Sequence, residues 1–143
     1  MTTAKDVAAY ILKKLGSMST WKLQKLLYYS QAWALVWDEK RLFPDKIKAW
    51  ANGPVVPSVY ALHKGRYRIS NLPQGNAENL SDENCATVDA VLKFYGPKPA
   101  QWLSDLTHAE KPWKDARAGV PEWERNHSPE ITPEAMAEYY GSL

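Results

Sequence analysis

The sequence predicts a mostly α-helical single domain of about six helices with a small two-stranded β element. Three observations carry that prediction. Apolar residues recur at helical spacing in most windows of the chain. Strand-like patterning appears only near 46–50 and 66–70. At 143 residues, 45% hydrophobic and 24% charged, the chain has the size and composition of one globular unit that buries its own core, so residues 1–143 are read as a single domain.

The elements follow in order. Thr3, with Asp6 three residues later, starts a first helix, and Val7, Ile11 and Leu15 keep its period until Gly16 ends it. Ser19 or Thr20 caps a longer helix reaching Trp37. Leu23, Leu27, Ser30, Ala34 and Trp37 form its stripe, widened by Leu26 and Trp33, which marks a central helix. Lys22 and Lys25 fall off that stripe. Lys46-Ile47-Lys48-Ala49-Trp50 alternates as a strand and Asn52-Gly53-Pro54 breaks it. Pro57 opens a third helix. Arg66-Tyr67-Arg68-Ile69 is expected to pair with 46–50. After a loop over 71–79, Ser81 caps a fourth helix with Val88, Val91, Leu92 and Tyr95 inward. A fifth runs from about Pro99 to His108 with Trp102, Leu103 and Leu106 inward. Residues 109–128 read as irregular, and Thr132-Pro133-Glu134 starts a C-terminal helix over about 133–140.

Counting excludes several functions. No apolar run approaches the ~18 residues of a membrane span, and the N-terminus is not a signal peptide. A single cysteine, Cys85, excludes an internal disulfide, so the cytoplasm is the expected compartment. No cofactor and no metal are expected: His63, His108, His127 and Cys85 fall in four different elements, and none has a ligand-pair spacing. No catalytic residues are assigned, and the chain is read as not an enzyme. Cys85 reads as a small core residue. Asp105 and Glu110 lie near His108, but helix-surface and helix-end roles explain them.

Charge is divided along the chain. The first 75 residues carry twelve Lys/Arg against four Asp/Glu, while the rest carry six against twelve. The basic strip at 46–68, with Tyr67 between two arginines, allows a nucleic-acid reading, since phosphates and bases favour such a surface. No known recognition module accompanies it, so nucleic acid is an unlikely partner. Seven Trp and eight Tyr fit a protein-binding surface better.

One series of motifs goes further. KLQKLLYYSQAW at 22–33 is followed by IKAWANGPVVPSVY at 47–60, then LSDLTH at 103–108 and Pro112-Trp113. Over about 5–125 this order and spacing resembles the Panacea domain, the SocA-like or GepA-like phage-associated antitoxin family. The resemblance implies a mostly helical, non-enzymatic antitoxin of a bacterial or prophage toxin–antitoxin pair. It implies a cognate protein toxin, encoded next door and neutralised by direct stoichiometric binding. Some such proteins instead act as proteolytic adaptors that deliver the toxin to a ClpXP-type protease. The length leaves no room for an added DNA-binding segment. Trp50, Gly53, Pro54, Tyr60, His108 and Trp113 are expected to build the fold or one shared pocket. Lys22, Lys25, Tyr28, Tyr29 and Gln31, taken as the exposed face of the second helix, are the toxin-binding candidates.

Overall fold

A computed structural model describes residues 2–124 and 128–143. Seven α-helices and two small antiparallel sheets make a mostly α domain with minor β. The first helix, α1 (Ala4–Leu15), starts where expected: the Asp6 carboxylate accepts from the Thr3 backbone N–H at 3.0 Å and reaches the Asn76 N–H at 2.8 Å, tying the 71–79 loop to it. Burial acts to raise the Asp6 pKa, but the Asn76 and Thr3 hydrogen bonds outweigh it and leave it below the ordinary carboxylate value. Ser19 caps α2 (Thr20–Trp37) through the Lys22 amide.

Helix α2 is the axis of the fold. Helices α4 (Asp82–Tyr95), α5 (Ala100–Ala109) and α7 (Pro133–Gly141) pack on it along with α1. It is buried nearly all round from Leu23 to Ala32, so one apolar stripe does not describe it. The stripe ends at Ala34. Trp37 stays half exposed, stacked at 5.1 Å on the partly buried Trp33. In α5, Leu103 is buried but Trp102 is not. Trp102 lies at the surface beside the exposed Phe94, with the Lys98 ammonium over both rings.

The β pairing also departs from expectation. The strand β2 (Ile47–Trp50) pairs with β3 (Gly53–Val55) in a hairpin and on its other edge with β5 (Glu130–Ile131), giving the order β3-β2-β5. The 66–70 segment supplies β4 (Arg68–Ile69), which pairs instead with β1 (Met18–Ser19) at the start of α2. Local alternation identified both segments but carried no information about distant partners. Between β3 and β4 in the chain comes α3 (Pro57–His63). The stretch read as irregular contains a sixth helix, α6 (Lys111–Ala116), begun by Pro112 in its first turn. No helix among the described residues is long and apolar enough to cross a membrane.

Candidate functional site

The first turns of α2, the β2–β3 turn, α3 and the segment after it enclose a cleft of about 620 Å³. Trp21, Gln24 and Lys25 come from α2, Trp50 from the hairpin, and Tyr60 and His63 from α3. Positions 21, 24 and 25 share one helical face because three or four residues make one turn. Trp50 and Tyr60 meet edge to face at 4.8 Å.

The polar groups of the floor are fixed. Gln24 Oε1 accepts the Val56 N–H at 2.8 Å, so its amide nitrogen faces His63 Nε2 at 2.9 Å. That nitrogen must therefore accept, which only a neutral imidazole allows. Burial, helped by the Arg66 charge, holds the His63 pKa below the ordinary histidine value, in agreement with the hydrogen bond. Lys25 is 1% exposed; its Nζ lies 3.4 Å from the Pro54 carbonyl oxygen and 5.0 Å from the centre of the Trp21 ring. Burial pulls its pKa down to about 8. Gly53 has φ +125°, and a Cβ there would sit 2.7 Å from Lys25 Cε. The motif glycine thus makes the turn and also leaves room for the ammonium.

The hairpin turn is held from behind. Trp113 Nε1 donates to the Trp50 carbonyl at 2.8 Å, and the Arg117 guanidinium, also buried, donates to the Ala49 carbonyl at 2.9 Å. His108 packs on Trp113 at 4.2 Å, with its ring nitrogens 2.7 Å from the Ser104 oxygen and 3.3 Å from the Ala51 oxygen. Trp50, Gly53, Pro54, Tyr60, His108 and Trp113 therefore gather around one hairpin. Trp50 and Tyr60 face the cleft, whereas His108 borders a second recess next to it. The exposed rings of Trp21 and Tyr67 border both recesses.

The expected exposed face of α2 is corrected by its burial. Tyr28, Tyr29 and Gln31, like Lys25, lie inside the protein, and only Lys22 is partly exposed. Gln31 replaces missing backbone partners for the 42–43 segment: its Oε1 accepts the Leu42 N–H at 2.7 Å and its Nε2 donates to the Phe43 carbonyl at 2.8 Å. Tyr29 and Tyr140 donate to one oxygen of Glu110 at 2.6 and 2.8 Å, with the Tyr28 hydroxyl 3.0 Å from that of Tyr140. Burial raises the Glu110 pKa against the lowering effect of those two bonds. Glu110 therefore faces a tyrosine cluster rather than His108, and no carboxylate pair forms around the imidazole. Sequence reasoning missed Trp21, Gln24 and His63 as cleft residues. The available signal was the all-round apolar content of the second helix, which implies that its polar residues are buried and paired.

Among the described residues no group of three His, Cys, Asp or Glu is placed to hold a metal; His127 lies outside them. The cleft combines aromatic walls with a few fixed polar groups, an arrangement suited to recognition. The sequence model of the family described as "Antitoxin SocA-like, Panacea domain" matches residues 23–114. No match was found among curated proteins or among solved structures.

Proposed function

The chain belongs to the Panacea-domain family of SocA-like antitoxins, and on that premise we propose that it neutralises a cognate protein toxin by direct, stoichiometric binding. The family match is the observation that carries the reading. The mechanism is steric: a preformed surface with aromatic anchors and a basic rim covers the toxin. The toxin is the product of a neighbouring gene, and the antitoxin does no covalent chemistry.

Four of the five residues first taken for the contact lie in the interior, so the contact passes to the lips of the cleft. There Trp21 is 40% and Tyr67 72% exposed, with Lys22 and Arg66 beside them in the chain. Large rings with polar tips are the residue types that dominate binding energy at interfaces, and basic neighbours steer an acidic partner.

Co-expression with the product of the adjacent gene, scored by growth and followed by co-purification, tests the reading. Rescue of growth with a co-eluting complex supports occlusion. Rescue in which the toxin vanishes only when a ClpXP-type protease is present replaces occlusion with the adaptor mechanism. Absence of both rescue and complex overturns the antitoxin reading. Within a complex, Trp21→Ala with Tyr67→Ala weakens binding at least about tenfold while circular dichroism shows the helical fold retained. Trp102→Ala, at an exposed ring that lines neither recess, leaves binding unchanged.

A further inference from the structure

Lys25 is a buried cation with no carboxylate partner among the described residues. An ammonium has three donors, and the fold provides one long bond to the Pro54 oxygen and the face of Trp21. Burying a charge so poorly paired is unfavourable, and an apolar side chain of the same length would suit a purely structural position better. The surroundings nevertheless make room for it: with Gly53 at that place in the turn, no Cβ lies 3.0 Å from Nζ. Lys25 is among the residues that line a cleft of about 620 Å³, within the usual range for small-ligand sites.

We propose that this cleft binds a carboxylate carried on a flat aromatic body, with the Lys25 ammonium as its counter-charge and Trp21, Trp50 and Tyr60 as its walls. One deep cation among apolar rings suits a singly charged planar anion. A phosphate, with more charge and more acceptors, calls for several donors. Arg66 adds positive charge at the cleft and Glu124 negative charge, while His63 is held neutral by Gln24. The inference stands on the cleft alone, independently of toxin neutralisation. The ligand chemistry has two sources, a free aromatic acid or the last residue of a polypeptide, and the test separates them.

The test is calorimetric titration with two matched pairs. Phenylacetate against phenylacetamide represents the free acid. N-acetyl-Ala-Ala-Phe with a free carboxylate against its C-terminal amide represents the chain end. At least one acid binds tenfold or more tightly than its amide, and the tighter acid identifies the source. Lys25→Met abolishes the preference. In the unsubstituted protein the preference falls about tenfold between pH 7 and pH 9 as the amine loses its proton. His63, Tyr60, Arg66, Tyr67 and Glu124 line the same cleft, and Lys25→Met retains them all, so it isolates the lysine. If that variant does not fold, the pH series on the unsubstituted protein decides. Equal binding of acid and amide, a preference that survives Lys25→Met or that does not change with pH, or no binding of any probe at millimolar concentration overturns the proposal.

Discussion

Lys25, buried with no carboxylate partner among the described residues, makes the stability of the protein depend on pH in a direction that can be worked out. Burial places the folded-state pKa of Lys25 at about 8, against 10.5 for an ordinary lysine. Between those two values the unfolded chain holds a proton that the folded chain has released. Stability must therefore rise with pH across that window, since it rises wherever the unfolded state binds more protons. From pH 7 to pH 10 the gain attributable to this one group is about 2 kcal/mol. Other groups titrate as well. Burial lowers the Lys22 pKa and raises those of Tyr28, Tyr29 and Tyr140. Those groups are common to the protein and its Lys25→Met variant, so the difference between the two isolates Lys25. Urea unfolding followed by tryptophan fluorescence, at pH 7 and pH 10, gives the four stabilities required. The unsubstituted protein gains about 2 kcal/mol more than the variant, and the variant is the more stable at pH 7. Equal pH responses, to within about 0.5 kcal/mol, would refute the reasoning, because they would mean that the folded amine is as well solvated or paired as the unfolded one.

Three further expectations follow from single sites. Gly53→Ala costs about 3 kcal/mol in urea unfolding, from backbone strain at a φ few L-residues adopt plus displacement of the Lys25 tip; in a Lys25→Ala background the cost drops by about 1 kcal/mol. Gln31→Leu costs about 3 kcal/mol by the same assay, because it leaves the buried Leu42 N–H and Phe43 carbonyl without partners. Glu110 has a raised folded pKa, so its contribution is complete below about pH 4.5 and is lost as pH rises through the folded value. Glu110→Gln retains an acceptor for Tyr29 and Tyr140 and removes that loss, whereas Glu110→Ala costs about 2–5 kcal/mol at pH 4 and less as pH rises; thermal melts from pH 4 to pH 8 separate the two.

Most helices were legible because the local signals agree with the fold. Ser19, Ser81 and Thr132 each accept the backbone N–H three residues on, where the sequence placed a cap. Strand pairing was not legible. The segments at 47–50 and 68–69 are recognisable, but alternation does not identify their partners: 53–55 in a local hairpin and the distant 130–131 and 18–19. The site was half legible. The motif residues around the hairpin do converge, yet the interior of α2 was misread as surface for a specific reason. A polar side chain reads as solvated unless its internal partner is visible, and apart from the His63 ring beside Gln24 and the Trp21 ring beside Lys25 the partners of Gln24, Lys25 and Gln31 are backbone groups at positions 54, 56, 42 and 43. Main-chain acceptors and donors leave no trace in residue type.

The buried polar residues of α2 bear on how the domain works. Gln24 and Gln31, two turns apart on one side of α2, clamp two separate stretches of backbone, while Tyr29 and Tyr140 converge on Glu110 from opposite ends of the chain. Loss of any one of these side chains leaves buried backbone or hydroxyl groups unpaired, so each stabilises one particular arrangement of hairpin, α2 and α7. The family match begins at residue 23, inside this network, and Trp21 and Lys22 lie just before it. Helix geometry nonetheless places Trp21 on the same face as Lys25, one turn away, so a rigid interior dictates where the exposed ring stands. Under the proposed function, partner choice then changes by substitution at the lips, at positions 21, 22, 66 and 67. The clamp beneath them remains as it is, and the expected signature is a swap of these four residues that alters which toxin is bound while the helical fold is retained.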